Sequence, residues 1–392
     1  MTPEEIELLS ELTIVIPTHN RPYHLERAIE YWQHTPVTVF VIDGSEKAWF
    51  LTGTLSTSNK IFYYHMPQND GESNFSNYCR RMEFASHLPK TKFSALCADD
   101  DFFTLSGMKL ALNKLSIDKN IDAVVGICAE YMLDGEQISW HLRYTNWKEG
   151  KYSRSSDTKK RILDKSGSFY LHYAIMRTEK WKLILRTTYR YKFQHHFAHE
   201  HLHRAISLAH CRVAVERHIV WCKESFKPNP SNTPYHLAIR EADWYRAKVN
   251  RHEVDLIIRE MTNGIKSAVS EERFNAQIIS KKYLRRAASF SDTYTFRRVK
   301  KTVLKKINLL KKFLPTNVRK IALSILPKKI QLFSNAELAI PHSHLTKNNY
   351  FELEHFLLSL ADTDILFDAV DLEILNKLLS MPRENFRLKL LI

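Results

Sequence analysis

Short β-rich apolar runs alternate with helix-like stretches through the first third of the chain. This alternation, more than any other feature, restricts the possible folds. Thr13–Pro17, Val37–Ile42, Ile61–Tyr64, Phe93–Leu96 and Ala123–Cys128 read as strands. Between them, Tyr23–Gln33, Phe75–Ser86 and Leu105–Leu115 read as helices, the first with Leu25, Ile29 and Trp32 on one face and Pro22 able to open it. Strands alternating with helices predict an α/β fold with a mainly parallel, doubly wound sheet. Ligands of such sheets bind beyond the carboxyl ends of the strands. Three polar stretches fall at those ends: Thr18-His19-Asn20-Arg21, Asp43-Gly44-Ser45 and Asp99-Asp100-Asp101. One crevice is expected to hold all three.

Further along, residues 134–168 read as loops and an irregular excursion. Ser168–Met176 resumes an ordered apolar stretch. Glu179–Leu185 and Phe197–Leu208 read as helices, and Val213–Cys222 as a late strand pair. The Pro- and Asn-rich stretch Lys227–Pro234 is the best boundary. The expected organisation is an α/β domain over 1–226, a linker over 227–236 and a helical C-terminal domain over 237–392.

Residues 97–103 read Cys-Ala-Asp-Asp-Asp-Phe-Phe. Three carboxylates where a buried strand ends are costly unless a cation or polar partner meets them. Mg²⁺ or Mn²⁺ is one such partner, because these ions take one or two carboxylates and keep positions for phosphate oxygens. The spacing Asp99-x-Asp101 is therefore expected to clamp a metal and a nucleotide diphosphate. An acidic turn or a helix N-cap would produce the same tripeptide.

The five cysteines are odd in number, scattered and without a CxxC pair, as reduced thiols in a cytosolic protein would be. The acidic N-terminus carries no signal-peptide pattern, and no run of about 18 apolar residues predicts a membrane span. The net charge of +15 is concentrated: residues 273–336 hold 17 Lys and Arg against one acid, Asp292. Within them Phe296, Val299, Val303, Ile307, Leu310 and Leu314 recur at helical spacing among the basic residues. Such a helix suits an anionic lipid surface, which places 296–330 on the inner face of the plasma membrane. Alternatively the stripe packs inside the C-terminal domain, where residues 350–376 carry seven acids and no Lys or Arg. No nucleic-acid-binding motif accompanies the charge. His195, His196, His199, His201 and His203 crowd one predicted helix, and their i, i+4 spacing can bind zinc, but no HExxH order appears. A polar helix lining a cleft fits them better.

Ile14–Arg21, Val39–Ser45 and Ala98–Asp101, taken in order, resemble the opening of glycosyltransferase family 2-like proteins of the GT-A fold. The C-A-D-D-D-F box resembles a bacterial subgroup found among capsule and other surface-polysaccharide genes. The resemblance covers roughly residues 12–225. It implies an enzyme moving a sugar from a nucleotide-sugar donor, UDP-sugar favoured, to a glycan or lipid-linked glycan acceptor. Pro17, Thr18 and Arg21 would line the nucleotide pocket, and Asp43 would contact base or ribose. Asp99 and Asp101 would hold Mn²⁺ or Mg²⁺ and the diphosphate, with Asp100 an alternative in either place. Glu200 is the candidate base of an inverting displacement, and His218 or His236 a further metal ligand. A non-catalytic membrane scaffold of the same fold is the alternative. A sugar-nucleotide pyrophosphorylase would need a glycine-rich loop where Pro17-Thr18-His19-Asn20 stands.

Overall fold

A computed structural model describes residues 1–49, 53–54, 60–134, 137–143, 153–163, 171–191, 193, 196–225, 241–268, 275–285, 351–361, 363 and 365–380. The linker 227–236, the basic stretch 296–330, His195 and His236 lie outside the described residues. Ten strands form one sheet. Its first half is parallel: β1 (Leu12–Thr18) lies between β2 (Thr38–Asp43) and β5 (Phe93–Leu96), and β4 (Ile61–His65) extends β2. The two-residue β3 (Gly53–Thr54) closes that edge antiparallel to β4. β1, β2 and β5 are almost wholly buried, which explains their unbroken apolar runs.

The other half is mixed. β7 (Ala123–Asp134) and β10 (Val213–Glu224) are long and mutually parallel. β9 (Ile175–Arg177) runs antiparallel between β5 and β7, and β6 (Asp101–Phe103) antiparallel to the end of β10. Two sequence expectations need correction here. Part of the excursion expected over 134–168 is strand β8 (Gln137–Arg143), antiparallel to β7, together with a short helix, α5 (Thr158–Ile162). The expected strand pair at Val213–Cys222 is a single strand whose register shifts between Glu216 and Ile219. A bulge carries no composition signal strong enough to distinguish it from a turn.

Among the described residues, seven α-helices precede residue 225. α1 (Pro3–Ser10), α2 (Pro22–Trp32), α3 (Asn74–Ala85) and α4 (Leu105–Ile117) come before β7, and α6 (Thr178–Tyr189) and α7 (His196–His210) follow α5. α3 packs on β1, β2 and α6, while α4 packs on β7, β9 and β10. Beyond the linker the described residues are helical: α8 (Glu241–Arg246), α9 (Arg251–Ser267), α10 (276–285), α11 (Leu353–Ala361) and α12 (Ala369–Leu379). They share one hydrophobic core with the sheet, through residues such as Ile257, Met261, Phe356 and Leu375. No described helix is long and apolar enough to cross a membrane.

The last described segment is stitched to the sheet. Phe351 exchanges backbone hydrogen bonds with Trp140, whose indole donates to Asn376 Oδ1 at 2.9 Å. Leu366 bridges the β10 irregularity through Arg217 and Ile219. Asp371 Oδ2 accepts the Ser106 N–H at 2.7 Å, meeting a first-turn donor of α4 beside the Thr104 cap. Asp371→Ala is expected to lower stability by about 1 kcal/mol, measured by urea unfolding.

Candidate functional site

The chain runs from β1 outward to β2 and β4, then returns to place β5 on the other side of β1. Loops leaving β1 and β5 therefore diverge at a topological switch point, where a crevice opens beyond the strand ends. The β1–α2 loop and the acidic box meet there. Thr18 Oγ1 donates to Asp99 Oδ2 at 2.7 Å. Arg21 Nη1 donates to Asp99 Oδ1 at 2.6 Å, and Arg21 Nη2 to Asp100 Oδ2 at 2.7 Å. Arg21 occupies the N-cap of α2 without a capping bond from its side chain, so the guanidinium is free to reach across.

The β2 loop is fastened to the same place. Asn20 takes a positive φ of 52°, a conformation Asn tolerates better than most residues, and its N–H donates to Ser45 Oγ at 2.8 Å. His19 Nδ1 lies 2.7 Å from the Gly44 carbonyl. Asp43 was expected to touch a base or ribose. It lines the pocket beside these loops and is buried, with Oδ1 accepting the Ser45 N–H and hydroxyl and Oδ2 accepting the Tyr63 hydroxyl. Tyr63 in turn accepts the Trp49 N–H at 3.0 Å. Asp43 thus sets the positions of Ser45 and Trp49.

Against these loops lies a pocket of about 260 Å³, lined in part by Thr18, Asn20, Arg21, Ser45, Lys47 and Trp49. Arg21 and Lys47 supply positive charge, Asp43 and Glu46 negative charge, and Trp49 a half-exposed aromatic face. Pro17 pairs with Ile42 inside the sheet and does not line the pocket. A larger groove of about 890 Å³ lies at the amino ends of β1 and β5, between α1 and α4. Its three lysines are matched by Glu5, Glu11 and Glu216 at 2.7–2.8 Å, and Glu4 and Glu7 also line it, so it presents no unmet positive charge.

The acidic box is a turn joining β5 to β6. Asp101 N donates to Ala98 O, and the Cys97 thiol lies 3.1 Å from Asp101 O. Asp101 is buried, and its Oδ1 accepts the Glu224 N–H at 3.3 Å. Burial pushes Asp99 up to about 7, against the pull of Arg21, and Asp101 up to about 8, with the Asp100 charge pushing the same way. The expected divalent-metal clamp does not fit this arrangement. Asp99 faces Thr18 and Arg21, whereas Asp101 faces Glu224 and Tyr173. Among the described residues no three His, Cys, Asp or Glu side chains converge as metal ligands. His218 lies at the β10 irregularity, with Nδ1 3.0 Å from Ile219 O.

Glu200 is exposed on α7. Its neighbour His199 is buried, with Nε2 2.8 Å from Tyr191 O and 3.2 Å from the Cys79 sulfur. Glu200 bears electrostatically on Tyr78 and Tyr189. Among the described residues the His199–His203 spacing does not form a zinc pair: His203 stacks on His172 with ring centres 3.9 Å apart, while His199 sits among Phe75, Tyr189 and Phe193. All five cysteines are buried, and none forms a disulfide.

Several residues at the site gave no sequence signal. Arg27 is wholly buried in α2. It donates to Glu224 Oε2 at 2.9 Å and lies over the rings of Tyr23, Phe102 and Tyr131, while its Nε and Nη1 find no acceptor. The Tyr131 hydroxyl donates to Asp100 O at 2.5 Å. Arg81 Nη1 donates to the carbonyls of Thr18 and Ile42, each at 2.8 Å. The i, i+4 pair Asn77 and Arg81, bonded at 2.8 Å, is the one local pattern that could have been found. No protein-family model matches the chain. No curated protein matches it either.

Proposed function

We propose that this protein is a glycosyltransferase of GT-A type that binds a nucleotide sugar in the 260 Å³ pocket and transfers the sugar to a surface-glycan acceptor. One observation carries the reading: a pocket with an aromatic wall, lined by Arg21 and Lys47 as well as by Asp43 and Glu46, sits at the switch point of a largely parallel sheet, beside the acidic box. Trp49 offers a face for a base, and Arg21 and Lys47 offer donors to phosphate oxygens. The N-terminus of α2, opening at Pro22 in the pocket wall, adds a favourable dipole for an anion.

The chemistry asked of the chain is a single displacement. A carboxylate takes the proton of the acceptor hydroxyl as its oxygen attacks the anomeric carbon. The bond from that carbon to the diphosphate breaks, and its electron pair leaves on the phosphate oxygen. Arg21 and Lys47 face the charge that develops there. Glu200 is our candidate base, since α7 packs through His199 on Cys79 and Phe75 in the first turns of α3. Those turns follow β4 at the strand end that also carries the loops after β1 and β2, although Glu200 itself does not line the pocket.

The full chain should show quenching of tryptophan fluorescence and a raised melting temperature with UDP and UDP-sugars. Sugar release or transfer should be lost in Glu200→Gln with binding retained. The assay is best run with and without anionic vesicles, because the basic pattern of 296–330 suits a peripheral position on an inner membrane face. Nucleotide binding without turnover under both conditions would favour the scaffold. Absence of any nucleotide response would reject the pocket assignment.

A further inference from the structure

The geometry points to Arg21 as a built-in replacement for the divalent cation: its guanidinium bridges the acidic box and the neighbouring pocket, so anion binding there is metal-independent. The inference rests on the nucleotide reading for its ligand, but not for its claim about the box.

Three observations support it. First, the place between the carboxylates is taken. Arg21 forks across Asp99 and Asp100 at 2.6 and 2.7 Å, and Thr18 covers the other Asp99 oxygen. Second, Asp101 is not available to complete a pair. It is 2% exposed on a strand paired to β10, and the Glu224 N–H is directed at it. Third, the surrounding charge is already met. Arg27 is fixed in the core beside Glu224, and both Arg27 and Lys223 act on the box. A divalent ion would have to enter against Arg21, which is paired to the box, and against the charges of Arg27 and Lys223 acting on it.

Arg21 can bridge in a way a lysine cannot. The guanidinium carries five N–H donors in a planar fork. Two are spent on the carboxylates. The side chain remains 37% exposed and lines the pocket with Lys47, so further donors are available to a phosphate. The carboxylates then act as the support that aims the arginine, as they would aim a metal.

Two measurements on the full chain at neutral pH test this. Mn²⁺ titration followed by electron paramagnetic resonance should find no stoichiometric site in the wild type. UDP titration by calorimetry should give the same affinity with Mn²⁺ as with a chelator, and Arg21→Ala should weaken it by about tenfold or more. Arg21→Lys, which keeps the charge and loses the fork, should fall between. It also carries the comparison if circular dichroism shows Arg21→Ala unfolded. Stoichiometric Mn²⁺ uptake by the wild type that Asp99→Asn abolishes would overturn the inference, as would UDP binding that requires Mn²⁺. If UDP binds under neither condition, the nucleotide reading falls, and the Mn²⁺ titration alone decides the role of Arg21.

Discussion

Arg81→Leu should destabilise the protein by about 2–4 kcal/mol and abolish ligand binding in the pocket. Arg81 is 3% exposed and serves three acceptors at once: the carbonyls of Thr18 and Ile42 and the side chain of Asn77, each at 2.8 Å. The need is local to this sheet. Thr18 and Ile42 stand at the end of the β1–β2 ladder, and Arg81 adds a side-chain donor from α3 to the carbonyl of each. Its place is shaped by Gly44, where an added Cβ would lie 2.6 Å from Arg81 Nε. Leucine fills part of the volume but removes all three hydrogen bonds, leaving each carbonyl only its β1–β2 ladder donor. Thr18 O keeps its second donor, the Gly44 N–H. Because Thr18 and Gly44 begin the two loops that form the pocket, loosening them should cost binding as well as stability. Urea unfolding and UDP calorimetry measure the two effects. Arg81→Lys should recover only part, since one ammonium cannot reproduce the fork. A loss under about 1 kcal/mol would mean that water or another donor replaces Arg81.

Raising the pH from 6.5 to 8 should destabilise the wild type on the order of 2 kcal/mol, most of it through Asp101. Burial holds Asp101 up to about 8 and Asp99 up to about 7, from 3.8. Between 3.8 and those values the folded state keeps protons that the unfolded state has released. Their stabilisation is complete below 3.8 and is lost as pH rises through 7 and 8. His172 works in the opposite direction. Burial among apolar groups, beside His203 and near His199, pulls it down to about 4 from 6.5. Unfolded, it binds a proton below pH 6.5, and folded it does so only near 4. Stability is therefore lost on acidification across that window, by about 3 kcal/mol from His172 alone. His203 is lowered for the same reason.

The two groups largely offset each other between pH 4 and 6.5, so the wild type should change little there. Single substitutions separate them. Asp101→Asn should flatten the alkaline fall and reveal acid destabilisation. His172→Gln should do the reverse. Melting temperature against pH for the three proteins is the measurement, and identical profiles would place the source of the pH dependence elsewhere.

Local pattern was enough for much of the framework. The first five long strands and the helices between them lie within a few residues of where apolar runs and helical spacing put them. The three polar stretches at strand ends also come to one side of the sheet, because β1, β2 and β5 are parallel neighbours. β6 and β8 were not legible. β6 is only three residues long, and β8 exists as an edge partner of β7, with the C-terminal segment bridged to it at Trp140. Short strands are defined by their partners, and partners are not local information. Glu200 is marked by its position in the chain, whereas Glu224 gives no comparable signal although its carboxylate holds Arg27 and its backbone N–H donates to Asp101 Oδ1.

The order of residues by itself determined that strands would be buried on both faces and that carboxylates would gather where one of them ends. Periodicity records burial, and burial is a property of each segment. It did not determine what those carboxylates meet. Arg21 lies 78 residues from Asp99, and Arg27 lies 197 from Glu224. Only the return of β5 to the free side of β1 brings the first pair within hydrogen-bond reach. Whether an acidic box takes a metal ion or a guanidinium depends on which charge the fold delivers to it, and a fixed cation already paired in a poorly solvated site is hard for a dissolved ion to displace.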